Sequence, residues 1–187
     1  GERAPDVSPR LPRALTLDAL AKRGRRQMPA HGPLSVTVPG CVDGWFALHE
    51  KFGSLPMKEL LAPAIDYARE GFPVTQIIAH QWQKSAEHLQ KYPNFRKIYL
   101  PKGRAPEVGE LFKNPDLASA LQAISAGGRE VFYKGEIAES IARFAERTGC
   151  YLRTEDFAAH RSEWLEPGST EYRGYRGWQL PPNSQEV

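Results

Sequence analysis

Segments with apolar residues at every third or fourth position constrain the fold more than any other feature of this sequence. That spacing places the apolar side chains on one face of an α-helix. A glycine or proline follows most of the segments, as is usual where a helix ends. The predicted helices cover residues 15–22, 41–52, 55–70, 75–92, 114–126 and 135–148, with a short one beginning at Thr154. The chain is therefore predicted to be predominantly α-helical.

A few short strands complete the predicted fold. Apolar and hydroxyl residues alternate over residues 34–38, which is typical of a strand. After Ser162, short runs between glycine-containing turns predict two or three more. A length of 187 residues fits one domain better than two, so residues 1–187 are predicted to form a single domain. With no initiator methionine, no signal-peptide pattern and an unfinished last segment, we expect a fragment truncated at both ends.

The composition argues against several classes of function. There are 25 Lys and Arg against 22 Asp and Glu, and a net charge of +3 without a basic stripe does not favour nucleic acid. No run approaches the ~20 apolar residues that span a bilayer. Histidines and cysteines lack the spacing of a metal site, and no glycine-rich phosphate loop is present. We therefore expect no metal, no cofactor, no nucleic acid and no membrane as partners.

Cys41 is the one residue whose position suggests chemistry. It follows Pro39 and Gly40 at the start of a predicted helix, a position where the helix N-terminus can activate a thiol as a nucleophile. The alternative is a small buried side chain with a structural role. We predict the structural role, because the sequence places no partner histidine beside it. Trp45 and Trp82 fall on apolar helix faces and are predicted to lie in the core.

Five motifs, in the same order along the chain, resemble those of γ-glutamyltransferases. Residues 35–45 (SVTVPGCVDGW) are similar to the family's VPG-x-V-x-G segment. The other matches are residues 52–56 with 60–74 (G-x-L-P, then L-x-P-A-I-x-x-A-x-x-G-F-x-V), 132–138 (F-Y-x-G-x-I-A), 152–159 with 172–175 (L-T-x-x-D-L-A-x-Y, then Y-R-G), and the proline-rich turn 181–184. Because the matches are collinear and cover nearly the whole chain, it resembles an internal piece of this family's large subunit.

The resemblance implies an N-terminal nucleophile hydrolase, in which this chain is a helical region of an α+β protein with an αββα sandwich. In this family a proenzyme cleaves itself, and a threonine at the new N-terminus of the small subunit attacks the γ-glutamyl amide. That threonine is expected beyond Val187, so we predict no catalytic residue within this chain. The implied partners are the small subunit from the same precursor and a γ-glutamyl or related amide, of the glutathione type. The sequence leaves the compartment open between cytoplasm and periplasm.

One departure from the family pattern concerns the arginine that binds the substrate carboxylate. That arginine belongs to a pattern like R-E-x-A-P, which here reads Gly1-Glu2-Arg3-Ala4-Pro5. Gly1 occupies the arginine position, and Arg3 is our predicted substrate-binding residue. Two residues of extended chain span roughly 7 Å and return the side chain to the same face. One alternative is that Arg3 is a solvated loop residue. Another is that a different residue binds the substrate carboxylate, or that the substrate is not a γ-glutamyl compound.

Three functional hypotheses remain. The first is a portion of a γ-glutamyltransferase-like enzyme that transfers or hydrolyses γ-glutamyl groups. The second is an acylase of the same family that acts on another amide. The third is a helical binding module without catalysis. The collinear motifs favour the first.

Overall fold

Helices dominate the computed structural model, which describes residues 3–6 and 10–180. The described α-helices are α1 (Leu17–Lys22), α2 (Cys41–Phe52), α3 (Met57–Glu70), α4 (Gln76–Leu89), α5 (Pro93–Tyr99), α6 (Pro115–Tyr133), α7 (Glu136–Thr148) and α8 (Thr154–Ala158). They hold more than half of the described residues, so the predominantly helical character is confirmed. Within this part of the chain, no helix combines the length and the apolar character that a membrane span requires.

The strands are short and form two-stranded antiparallel sheets in the described residues. They are β1 (Ala4–Asp6), β2 (Phe72–Pro73), β3 (Leu111–Phe112), β4 (Glu163–Leu165), β5 (Gly168–Tyr172) and β6 (Tyr175–Gln179). β1 pairs with β4, β2 with β3, and β5 with β6. Strands after Ser162 are thus confirmed. The sequence did not predict β1, β2 and β3, because each has only two or three residues and a partner far along the chain.

The predicted strand over residues 34–38 is wrong. Pro33–Ser35 form a turn of 3₁₀ helix, and residues 36–40 have no regular structure. Leu34 and Val38 are buried, but Val36 between them is 42% exposed, so the alternating apolar residues do not share one buried face. The amide of Val38 donates to the carbonyl of Arg10 at 2.9 Å, but this contact does not continue into a ladder. A strand needs a run of such bonds to a neighbour, and alternation alone does not supply one.

Two compact units make up the chain. The first unit comprises the described residues of Gly1–Ser54 and Gly127–Val187, and the second comprises Leu55–Ala126. The boundary falls within α6, beside Gly128, whose φ of 70° and ψ of −163° interrupt the helical backbone. Only glycine adopts this conformation readily. The single-domain assignment stays a prediction.

In the first unit, capping residues and buried side chains place the helices. The hydroxyl oxygen of Thr16 accepts a hydrogen bond from the amide of Ala19 at 3.1 Å and so caps the start of α1. Gly149, in the left-handed conformation with φ 76°, ends α7. The most deeply buried large side chains of this unit are those of Tyr133, Phe157, Leu152 and Val38.

In the second unit, α3 buries Leu61, Ile65 and Ala68, whereas the apolar face of α4 is only partly covered. None of the α4 side chains is fully buried, and Ile77 is 70% exposed. Trp82 is half-buried and packs edge-on against Phe112 with ring centroids 4.6 Å apart. In the first unit Trp45 is exposed, so the prediction of two core tryptophans is wrong for Trp45. Apolar spacing identifies a helix face, but the packing partners decide whether that face is covered.

Candidate functional site

Arg3, the predicted substrate-binding residue, lies immediately before β1, and its side chain is exposed. The β1–β4 register places Ala4 opposite Leu165 and Asp6 opposite Glu163. The position of Arg3 therefore depends on what holds β4. Gly1, which occupies the family's arginine position, and residues 181–184 lie outside the described residues.

Two contacts hold β4 at its beginning. The backbone amide of Ser162 donates to the carboxylate of Asp43. The guanidinium of Arg10 donates to Glu163 at 2.7 Å, but both side chains are more than half exposed. Exposed ion pairs contribute little, whereas a buried hydrogen bond to a carboxylate is among the stronger contacts in proteins. The bond from Ser162 to Asp43 is therefore the stronger of the two contacts.

Asp43 is a buried carboxylate in the first turn of α2, with 5% of its surface exposed. It accepts hydrogen bonds from the Ser162 amide and from Nε of Arg129. Burial by itself raises the pKa of Asp43, but the hydrogen bonds from Ser162 and Arg129 outweigh it and hold the pKa below its ordinary value of 3.8. Asp43 is thus ionised at neutral pH and paired with Arg129.

Arg129 and His160 complete this arrangement around the ring of Tyr133. The guanidinium of Arg129 lies 4.6 Å from the centroid of that ring and donates to the carbonyl oxygen of His160 at 2.6 Å. The His160 ring stacks on Tyr133, with centroids 5.3 Å apart. Burial lowers the pKa of His160, so the imidazole is neutral at neutral pH. We refer to Asp43, Arg129, Tyr133, His160 and Ser162 as the Asp43 cluster.

Tyr133 caps α2 from outside the helix. Gly40, at the N-cap position, has no side chain with which to accept a hydrogen bond from the first-turn amides. The hydroxyl of Tyr133, which is fully buried, accepts from the amide of Asp43 at 3.0 Å and donates to the carbonyl of Pro39 at 2.7 Å. Burial raises the pKa of Tyr133 to about 12. The entry into α2 at residues 39–43 is therefore fixed by a side chain from α6.

The Asp43 cluster is suited to positioning, not to attack on a substrate. Its carboxylate is shielded from solvent and already accepts two hydrogen bonds. Sequence reasoning did not find it, because Arg129 and Ser162 lie 86 and 119 residues from Asp43 along the chain. The one signal in the sequence was an acidic residue within an apolar helical segment.

Cys41 was predicted to be buried, and this is wrong. Its side chain is exposed at the start of α2, whereas Cys150 is buried. The buried positions of that first turn are taken by Val42, Asp43 and Gly44. Successive helical residues are rotated by about 100°, which leaves Cys41 on the outer side. A role for Cys41 as a packing residue therefore lacks support.

The second unit contains a loop held by one carboxylate. Glu110 accepts hydrogen bonds from Arg104 at 2.9 and 3.0 Å, from Lys102 at 2.7 Å and from the amide of Glu107 at 2.7 Å. The hydrogen bonds from Arg104 and Lys102 hold the pKa of Glu110 well below its usual range.

An open groove of about 1020 Å³ lies between residues 104–108 and α4, and His80 is among the residues that line it. Among the described residues, no three His, Cys, Asp or Glu side chains group to hold a metal.

Comparison with solved structures defines the class of protein. The chain superposes on the cephalosporin acylase of Bacillus halodurans with a TM-score of 0.91 and 40% sequence identity, covering 97% of this chain and 35% of that one. It superposes on the γ-glutamyltranspeptidase of Helicobacter pylori with a TM-score of 0.89 and 30% identity, covering 98% of this chain and 54% of that one. The fold is thus a portion common to acylases and transpeptidases.

Sequence comparison then gives the family. The model of the gamma-glutamyltranspeptidase family matches residues 3–187, and the chain belongs to this family, as its motifs predicted. A Bacillus subtilis (strain 168) relative, the "Glutathione hydrolase-like YwrD proenzyme", is 40% identical over 164 residues. The aligned region covers 87% of this chain and 31% of the relative. The chain therefore spans about a third of the length of this curated relative.

Proposed function

We propose that this chain is part of the large subunit of an N-terminal nucleophile hydrolase that transfers or hydrolyses γ-glutamyl groups. The family match over residues 3–187 carries the proposal. In the complete protein, the helices α1–α8 belong to the outer layers of an αββα sandwich. The small subunit comes from the same precursor, in keeping with a relative that is named a proenzyme.

The nucleophile of the proposed reaction is a threonine outside this chain. An N-terminal threonine uses its own amine as the base, so nucleophile and base arrive together when the precursor is cleaved. We therefore expect the isolated chain to be inactive. An assay of the isolated chain with a chromogenic γ-glutamyl anilide should give only background. Turnover that persists through purification would show that the nucleophile lies within residues 1–187.

Arg3 is the proposed ligand of the substrate carboxylate. Arg3 is exposed immediately before β1, without the buried contacts that fix Arg129. A guanidinium makes two parallel charge-assisted hydrogen bonds to a carboxylate, whereas lysine binds it as a point charge. Arg3→Lys in the complete enzyme should therefore raise KM for γ-glutamyl anilide several-fold. Arg13→Lys, a second exposed arginine of the same unit, is the matched control and should leave KM unchanged.

An acylase acting on another amide is the second candidate, favoured by the 40% identity to the Bacillus halodurans cephalosporin acylase. The two candidates differ in whether the enzyme requires a carboxylate on the acyl group. The test compares γ-glutamyl anilide with γ-aminobutyryl anilide, which lacks only that carboxylate. A strong preference for the first supports the γ-glutamyl enzyme, and equal kcat/KM values support the acylase. No turnover of any amide by the processed protein would favour the non-catalytic binding module.

A further inference from the structure

We propose that Asp43 is a positioning residue for Arg3, acting through Ser162 and the β4–β1 ladder. The proposal rests on the proposed function, in which Arg3 binds the substrate carboxylate. Asp43 itself is buried and does not touch the substrate in this scheme. Its role is to hold the strand on which the substrate-binding segment is aligned.

A short series of contacts leads from Asp43 to Arg3. The Asp43 carboxylate accepts the amide hydrogen bond of Ser162, and Ser162 immediately precedes β4. β4 pairs with β1 in a three-residue antiparallel register. Arg3 immediately precedes β1. A shift of Ser162 moves β4, the β1–β4 ladder carries the shift to β1, and β1 carries it to Arg3, its neighbour along the chain.

The β1–β4 ladder is too short to fix its own position. A two-stranded sheet is at best marginally stable in water, so its anchors decide where it lies. The ring of Trp164, in the middle of β4, packs edge-on against Phe52 with centroids 6.0 Å apart. At the start of β4, the Arg10–Glu163 pair is exposed, whereas the Ser162 amide bonds to the buried carboxylate of Asp43. Asp43 is in turn fixed by α2, which carries it, and by Arg129, which makes a salt bridge with it.

The experiment measures carboxylate discrimination in the complete, processed enzyme. Discrimination is the ratio of kcat/KM for γ-glutamyl anilide to kcat/KM for γ-aminobutyryl anilide. The variants are Asp43→Asn, Arg3→Lys and the double variant. Asp156→Asn is the matched control, because Asp156 is also a buried acid of the first unit but accepts from the amides of Arg13 and Arg153. Arg129→Lys, which keeps a positive charge beside Asp43, is the milder variant in case Asp43→Asn does not fold.

A second readout follows the strands without any substrate. Amide hydrogen exchange is measured at residues 163–165, with the β5–β6 hairpin as the internal reference. If Asp43 holds β4, exchange at 163–165 should be faster in Asp43→Asn than in the wild type, relative to that hairpin. This readout does not depend on the role of Arg3.

Asp43→Asn should lower the discrimination ratio by about fivefold or more, since a misplacement of about 1 Å at a binding group can cost far more than this. The loss should lie mainly in KM for γ-glutamyl anilide. In the Arg3→Lys background, Asp43→Asn should lower the ratio no further, because the two residues act on one contact. Arg129→Lys should lower the ratio by a smaller factor, and Asp156→Asn should leave it unchanged.

Failure of this inference is distinguishable from failure of the proposed function. If Arg3→Lys lowers the ratio while Asp43→Asn and Arg129→Lys retain it, the positioning role is overturned and the role of Arg3 stands. An equal loss in Asp156→Asn also overturns it, because general loosening then explains the effect. If Arg3→Lys retains the wild-type ratio, the substrate role of Arg3 is refuted. Unchanged exchange at 163–165 in the Asp43 variant then overturns the anchoring of β4 as well.

Discussion

Replacing Tyr133 by phenylalanine isolates the contribution of one buried hydroxyl group. The hydroxyl accepts from the Asp43 amide at 3.0 Å and donates to the Pro39 carbonyl at 2.7 Å, and the residue is 0% exposed. The ring still fits, so the packing against His160 and Arg129 is retained. What changes is that a helix amide and a backbone carbonyl lose their hydrogen-bond partner.

The expected loss of stability follows from these two groups. An unsatisfied buried polar group costs about 1–3 kcal/mol, so two such groups, partly relieved by local relaxation, should lower the free energy of unfolding by about 2–4 kcal/mol. The Asp43 amide lies in the first turn of α2, and the Tyr133 hydroxyl acts as its cap. Loss of a helix cap alone costs about 0.5–2 kcal/mol. Gly40 offers no side chain to replace this cap.

Urea unfolding followed by tryptophan fluorescence measures the effect. The midpoint should fall without a change in the slope m, because the surface exposed on unfolding is the same. Tyr67→Phe is the control, since Tyr67 is 61% exposed and loses a hydroxyl that faces water. A midpoint for Tyr133→Phe within error of that control would refute the claim that this hydroxyl fixes the start of α2.

Three further predictions concern the loop, the cysteines and pH. Glu110→Gln should speed amide exchange at Glu107, whose N–H bonds to the Glu110 carboxylate; exchange as slow as in the wild type would contradict this. In the folded chain Cys41 should react with a thiol reagent before Cys150, which is buried. Mass spectrometry of the labelled protein measures the extent of labelling at each cysteine, and equal labelling of the two would contradict the prediction. The lowered pKa of Asp43 means that its contribution to stability is present above the unfolded value of 3.8 and is lost as the pH falls through the folded pKa. The difference in unfolding free energy between the wild type and Asp43→Asn should therefore shrink from about pH 4 downward, and a constant difference would refute it.

The helices were predictable because their determinants are local. The predicted helix over residues 41–52 is observed as Cys41–Phe52. Thr16 and Asn114, beside the starts of α1 and α6, each accept a hydrogen bond from an amide of the first turn. Helical hydrogen bonds join residues four apart, so a short window of sequence contains most of the relevant information. The alternation over residues 34–38 failed for the opposite reason, since a strand depends on a partner that the window does not include.

The sequence by itself determined that the chain is helical, which motifs it carries and, through them, the family to which it belongs. Only the tertiary structure decided that Asp43, an acidic residue in an apolar segment, is buried and paired with Arg129 and Ser162. It also decided that Cys41 is exposed and that Arg3 immediately precedes a strand that pairs with β4. The physical reason is the distance along the chain over which each property is decided. The spacing of nearby residues sets the backbone conformation. Burial and ion pairing depend on packing, which brings together residues about a hundred positions apart.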